Sequence, residues 1–231
     1  AVPYARAVEA SCGTPPSPSQ PQAKREKVAE LLDAAGYGEG LESPGGLQSA
    51  VERWRRDRLV PAKAIPALAR AFIAELDAAA ARHLLPHIPP VLHAVPRANV
   101  RFLAIENAWF SGSMNYLGHA RRPDGRPEYE ASYELNASLE ISVPEFQQLV
   151  SHEVVPGHVT TFAYLQDLYV RGLVGFEASV LTMNTRVSVL FEGIVNNAIL
   201  IAHGVTEPAD LPDRDLELGV LLALLQDDAK N

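Results

Sequence analysis

The stretch YEASYELNASLEISVPEFQQLVSHEVVPGH, residues 129–158, changes its period part-way along, and that change decides the fold. From Tyr129 to Ile141 the odd positions are Tyr129, Ala131, Tyr133, Leu135, Ala137, Leu139 and Ile141, while every even position is Glu, Ser or Asn. A period of two is that of a strand with one buried face. The run is long for a single strand, so a bend near Asn136 is expected. Pro123-Asp124-Gly125 just before it is a turn signal and implies an antiparallel partner.

At Ser142 the period becomes helical. Ser142 and Glu145 are spaced as a capping box, Pro144 stands in the first turn, and Ile141 and Phe146 are placed as a hydrophobic staple. The helix should run to about Val155, where Pro156-Gly157 interrupts it. A second helical pattern resumes at His158 and continues to about Arg171.

Working outward, helical spacing covers Ala23–Ala35 (ending at Gly36), Gly46–Leu59, Ala62–Leu85, Thr185–His203 (ending at Gly204) and Leu216–Asp228. Val100–Ile105 reads as a strand, and the Pro- and Ser-rich Gly13–Gln22 as a loop or linker. The expected class is therefore α+β, a predominantly helical domain with a small antiparallel sheet. Residues 1–95 read as a helical N-terminal part and 96–231 as the part carrying the chemistry, together one continuous domain. The apolar run Leu216–Asp228 stops abruptly at Lys230-Asn231, from which we expect a segment of a longer protein.

The chain has 231 residues, and 47% of them are hydrophobic, enough for a sizeable core. A formal net charge of -8 argues against nucleic acid and anionic membranes, which attract basic patches. The one cysteine, Cys12, rules out a disulfide within the chain and favours a reducing compartment. No apolar run approaches the roughly 20 residues of a membrane span, and Ala1–Gly13 lacks the form of a secretory signal. A cytoplasmic protein is expected.

The chemistry concentrates in His152, Glu153 and His158. Imidazoles and carboxylates hold zinc, and a carboxylate next to a ligand is placed to take a proton from water. Histidines four apart share a helix face. These are six apart, and six residues of regular helix turn through about 600°, so the two rings would diverge. Proline forfeits a backbone hydrogen bond and glycine reaches conformations closed to other residues. A break at Pro156-Gly157 would return His158 to the side of His152.

A third ligand should come from another helix. Glu192, an acid in the apolar run Leu190-Phe191-Glu192-Gly193-Ile194-Val195, is the first choice, because a buried carboxylate calls for a cation. Glu177 and Glu207 are its rivals. A donor for a developing oxyanion is also needed. Tyr116 is preferred over His119 and Arg186.

The pattern His152-Glu153-x-x-Pro156-Gly157-His158, followed by Glu192-Gly193, resembles the bacterial zincin-like metallopeptidase family catalogued as domain of unknown function 885. The resemblance extends over most of the chain, including Asn115-Tyr116 and Asn184-Thr185. It implies a mostly helical zincin-type fold, with His152, His158 and Glu192 as ligands of Zn2+ and Glu153 as general base. It implies no particular substrate. Val159 stands where many members have a further histidine, and Ile194-Val195-Asn196-Asn197 where Trp or Ala often follows Glu-Gly.

In zincin-type peptidases an edge strand near the metal holds extended substrate, and the strand at 129–141 is the one expected to serve. Its polar face, with Glu130, Glu134 and Glu140, would disfavour acidic peptides. The expected activity is zinc-dependent hydrolysis of a peptide or small amide. Two other classes stay open: an inactive zincin-fold binding module, and a metal-dependent enzyme of small-molecule metabolism using the same ligands.

Overall fold

The computed structural model describes residues 19–108, 112–116, 120–121, 123–125, 127–128, 131–138, 140–179 and 186–230. The chain divides into two compact units, Ala1–Trp54 with Leu221–Asn231, and Arg55–Val220. The division does not fall near Pro96. The helical residues that precede the sheet belong with it, for the packing reason given below.

In the first unit, helix α1 (Ser19–Leu32) buries Val28, Leu31 and Leu32. It begins inside the stretch read as a loop, Gly13–Gln22, whose earlier residues, like Cys12, lie outside the described ones. Gly36, at φ 89°, turns the chain out of the helical path as its position implied. Helix α2 (Gly46–Arg56) buries Ala50, Val51 and Trp54. Arg53 on this helix donates to the carbonyls of Tyr37 and Glu39 at 3.3 and 3.0 Å, tying down the intervening loop.

The second unit carries the sheet and the motif. Helix α3 (Ile65–His83) follows a short 3-10 turn at Ala62–Ala64. Pro66 in its first turn cannot extend the helix backward, because its ring would meet the carbonyl four residues earlier. Strand β1 (Val100–Ile105) lies where it was expected. Strand β2 (Gly112–Tyr116) follows, then the antiparallel pair β3 (Ala120–Arg121) and β4 (Pro127–Glu128) around the turn at Pro123-Asp124-Gly125. Strand β5 (Ala131–Asn136) buries Ala131, Tyr133 and Leu135, the odd positions of the alternation. It ends where a bend was expected. Asn136 Nδ2 donates to the Ala108 carbonyl at 2.7 Å and its Oδ1 accepts from the Ser138 amide at 3.1 Å, so the side chain occupies groups that a continuing ladder would use.

The sheet order is β1-β5-β2. It is mixed, not wholly antiparallel. β5 pairs antiparallel with β2 (Gly112↔Leu135 to Tyr116↔Ala131) but parallel with β1 (Val100↔Ala131 to Ile105↔Asn136). A parallel pair needs a connection of a dozen residues or more, and residues 106–130 supply it. As the strand with the best-buried face, β5 takes the centre, where both of its edges are bonded.

Among the described residues, four α-helices precede the last one: α4 (Val143–Glu153), α5 (His158–Val170), α6 (Arg186–Asn196) and α7 (Ala198–His203). α3 packs on β1, α4 and α7; α4 and α5 both pack on β2; α4 also packs on α6. The single helix expected over 185–203 is two, with Asn197 between them. The Asn197 side chain donates to the Gly193 carbonyl at 2.8 Å, and its amide makes a tighter bond to Ile194. Gly204 closes α7 in the left-handed region at φ 67°. Helix α8 (Arg214–Lys230) runs from this unit into the other. Among the described residues no helix is long and apolar enough to cross a membrane.

Candidate metal centre

Helix α4 is fixed at its start. The Ser142 amide and hydroxyl both donate to Glu145 Oε2, at 3.2 and 2.6 Å, as the capping-box spacing implies. Arg55 pairs with the other oxygen of Glu145 at 2.6 Å. Just ahead of the cap, Val60 donates to Ile141 and Arg58 accepts from Val143, each at 2.9 Å, which sets where the helix begins. Phe72 of α3 meets Phe146 edge-on, with ring centroids 5.8 Å apart. His152 and Glu153 are thereby placed in the last turn of an anchored helix.

The chain then breaks. α4 ends at Glu153, with Val154 as its C-cap, and α5 starts at His158; Val155, Pro156 and Gly157 lie between, and the Val155–Pro156 peptide is cis. The break is packed: Val154, Val155 and Val159 are buried. It is also satisfied, since the Val154 carbonyl accepts the Thr160 amide and the Thr160 hydroxyl, both at 3.2 Å. Gly157 lies directly on the end of α4. A Cβ built there would overlap the carbonyl oxygen of His152 and press on that of Ser151. Glycine is needed at this close approach, and the fold-back brings His158 beside His152.

The two imidazoles stand with ring centroids 5.1 Å apart and planes at 80°. Glu192 on α6 reaches both: its Oε2 is 3.7 Å from His152 Nε2 and its Oε1 is 3.4 Å from His158 Nε2. One ligand atom from each residue lies within 4.8 Å of the others, and this is the one such group of three among the described residues. Ligands about 2.1 Å from a tetrahedral zinc stand about 3.4 Å apart; the two histidine–carboxylate separations are near that distance, and a bound ion would draw the set inward from its 4.8 Å limit. The rival acids Glu177 and Glu207 are exposed and outside the group. No close helix approach requires glycine at 193: a Cβ there would meet nothing within 4 Å among the described residues.

Burial lowers the pKa of His158, which favours the neutral imidazole that binds metals. Its ring stacks on Phe162, one turn along α5, with centroids 5.8 Å apart and planes 12° from parallel. Its Nδ1 is enclosed without a hydrogen-bond partner among the described residues, so aromatic packing orients the ring. Phe162 also touches Phe191, the neighbour of Glu192. Burial, and then the charge of Glu192, push the Glu153 carboxyl up to about 7. A cation among the ligands would counter the second cause and favour the carboxylate, the form a base requires.

The other expected site residues fare differently. The ring of Tyr116 packs on Phe162 at 5.7 Å and against the apolar cluster of Leu92, Val95 and Ala163. An oxyanion donor has to meet substrate, and the Tyr116 hydroxyl is enclosed by protein. His119 lies outside the described residues, as does the side chain of Arg186. The edge-strand role cannot belong to β5, which is bonded on both sides. One residue near the site was not anticipated. Tyr133 is fully buried; burial first, and the charge of Glu153 second, raise its phenol well above the ordinary pKa. The alternation of residues 129–141 marked Tyr133 as inward-facing but not what it faces.

Family models, curated proteins and solved structures were compared with the chain, and none matches.

Proposed function

We propose that the chain is a zinc-dependent hydrolase, a metallopeptidase acting on peptide or small amide bonds. The observation that carries this reading is the convergence of His152, His158 and Glu192 across a helix break, with Glu153 next to a ligand. Two imidazoles and a carboxylate are a donor set suited to zinc. The HExxPGH resemblance supports the same assignment and a zincin-like relationship.

Bound there, zinc would supply an activated water and polarise the carbonyl under attack. The chain's own residues do the rest. His152, His158 and Glu192 hold the ion. Glu153 takes a proton from the attacking water and delivers it to the amine as the carbon–nitrogen bond breaks, giving a carboxylic acid and an amine. β2 is bonded to β5 along one edge and lies under α4 and α5, so its other edge is where an extended peptide would add as a strand. The acidic net charge disfavours nucleic acid as a partner, and the lone Cys12 supports a cytoplasmic setting.

The protein is expected to cleave members of a broad peptide library when loaded with zinc. Chelation should abolish cleavage and added zinc restore it, as followed by mass spectrometry of the products. Zinc retained with no peptide cleaved would transfer the site to non-peptide chemistry. No zinc retained would leave a binding module.

A further inference from the structure

The three candidate ligands stand on three helices: His152 on α4, His158 on α5 and Glu192 on α6. Bringing them to one ion takes three separate spacings. The close approach of Gly157 to the His152 carbonyl sets the start of α5 against the end of α4. Direct packing sets α6 against α4. The third side, between His158 and Glu192, is spanned by aromatic rings. Phe162 stacks on His158, four residues back on the same face of α5, with centroids 5.8 Å apart and planes 12° from parallel. The same ring meets Phe191, the residue before Glu192, at 6.1 Å and 34°. It also meets Tyr116 of β2 at 5.7 Å.

A metal-binding imidazole is normally oriented by a hydrogen bond from its other ring nitrogen to a carboxylate or carbonyl. His158 Nδ1 is sealed from solvent and has no such partner among the described residues. The ring is instead in contact with two others, stacked on Phe162 and edge-on to His152 at 5.1 Å. A flat aromatic face resists tilting of the ring stacked on it. A branched aliphatic side chain of similar bulk offers no such face.

We propose that Phe162 holds His158 and Glu192 at metal-binding separation, now 3.4 Å between Nε2 and Oε1. It does so by fixing the plane of the His158 ring and, through Phe191, the place of α6. This rests on the reading of His152, His158 and Glu192 as metal ligands. Phe162 offers the ion no ligand atom; it is a positioning residue, and its packing stands where a hydrogen bond to Nδ1 would otherwise serve.

The test is zinc affinity and needs no substrate. Zinc Kd is measured by competition with a chromophoric chelator for the wild type, Phe162→Leu, Phe162→Tyr and Phe102→Leu. Tm is measured for each in excess chelator, so that folding is followed apart from the metal. Leu keeps the apolar bulk and loses the flat face, whereas Tyr keeps both. Phe102→Leu removes a ring from a pair that includes no ligand, that with Tyr133 in the sheet. Phe162→Leu should weaken zinc binding by about 10–100-fold. Phe162→Tyr should keep the wild-type affinity, and Phe102→Leu should keep it even where its Tm falls. If Phe162→Leu does not fold without metal, Phe191→Leu, which removes the contact from the α6 side, is read in its place with the same expectation. Wild-type affinity in the Leu variant overturns the proposal and leaves the ligand assignment standing. An equal loss in Phe162→Tyr or Phe102→Leu also overturns it, because the effect is then general loosening. A wild type that binds no zinc overturns the ligand assignment and the proposal with it.

Discussion

Glu153→Gln is expected to lower peptide hydrolysis by about 10²–10⁴-fold while zinc binding persists. Gln keeps the length and shape of the side chain and loses the ability to take a proton. The change falls outside the three ligands, so the ion should still bind at one per chain. The fold should not suffer, because the substitution removes a buried charge that Glu192 repels. Kinetics on a cleaved library member, with zinc measured by calorimetry on the same preparation, separate the two effects. Hydrolysis undiminished in Glu153→Gln would remove Glu153 from the chemistry. Loss of zinc along with activity would make it a ligand instead of a base.

The second large effect is expected from Gly157→Ala, a change of one methyl group. The new Cβ would overlap the carbonyl oxygen of His152, and neither partner is a flexible side chain that can swing away. Overpacking a core costs about 1–3 kcal/mol, and a clash between two backbone segments belongs at the upper end. Tm should fall by roughly 6–12 °C for a unit of this size. Zinc affinity should fall as well, because relief of the clash moves the start of α5, and His158 with it, away from the end of α4. Gly193→Ala is the natural control. It adds the same methyl group beside the ligand Glu192, where a Cβ meets nothing within 4 Å among the described residues. Its fold and zinc binding should match the wild type. Equal behaviour of the two variants would show that the close approach at Gly157 does not hold the ligands together.

The features legible in the sequence are those set by local chemistry. The six-residue spacing of His152 and His158 forbids a regular helix if they share a metal, and Pro156-Gly157 is where backbone chemistry permits a break. The structure breaks there. The capping box at Ser142 and Glu145, the strand at Val100–Ile105 and the inward face of β5 are likewise local. What was not legible depends on contacts distant in sequence. The parallel pairing of β1 with β5 is decided by which strand wins the centre of the sheet, and no turn signal encodes it. Residues 55–95 join the sheet unit because α3 packs on β1, α4 and α7, which a composition change near Pro96 does not reveal.

The ligand set itself is tested most directly by growing crystals with zinc and collecting anomalous diffraction on both sides of the zinc absorption edge. The account predicts one strong anomalous peak, bonded to His152 Nε2, His158 Nε2 and the carboxylate of Glu192, with Glu153 beside it and unbonded. A peak held by other residues, or no peak from protein saturated with zinc, would contradict it.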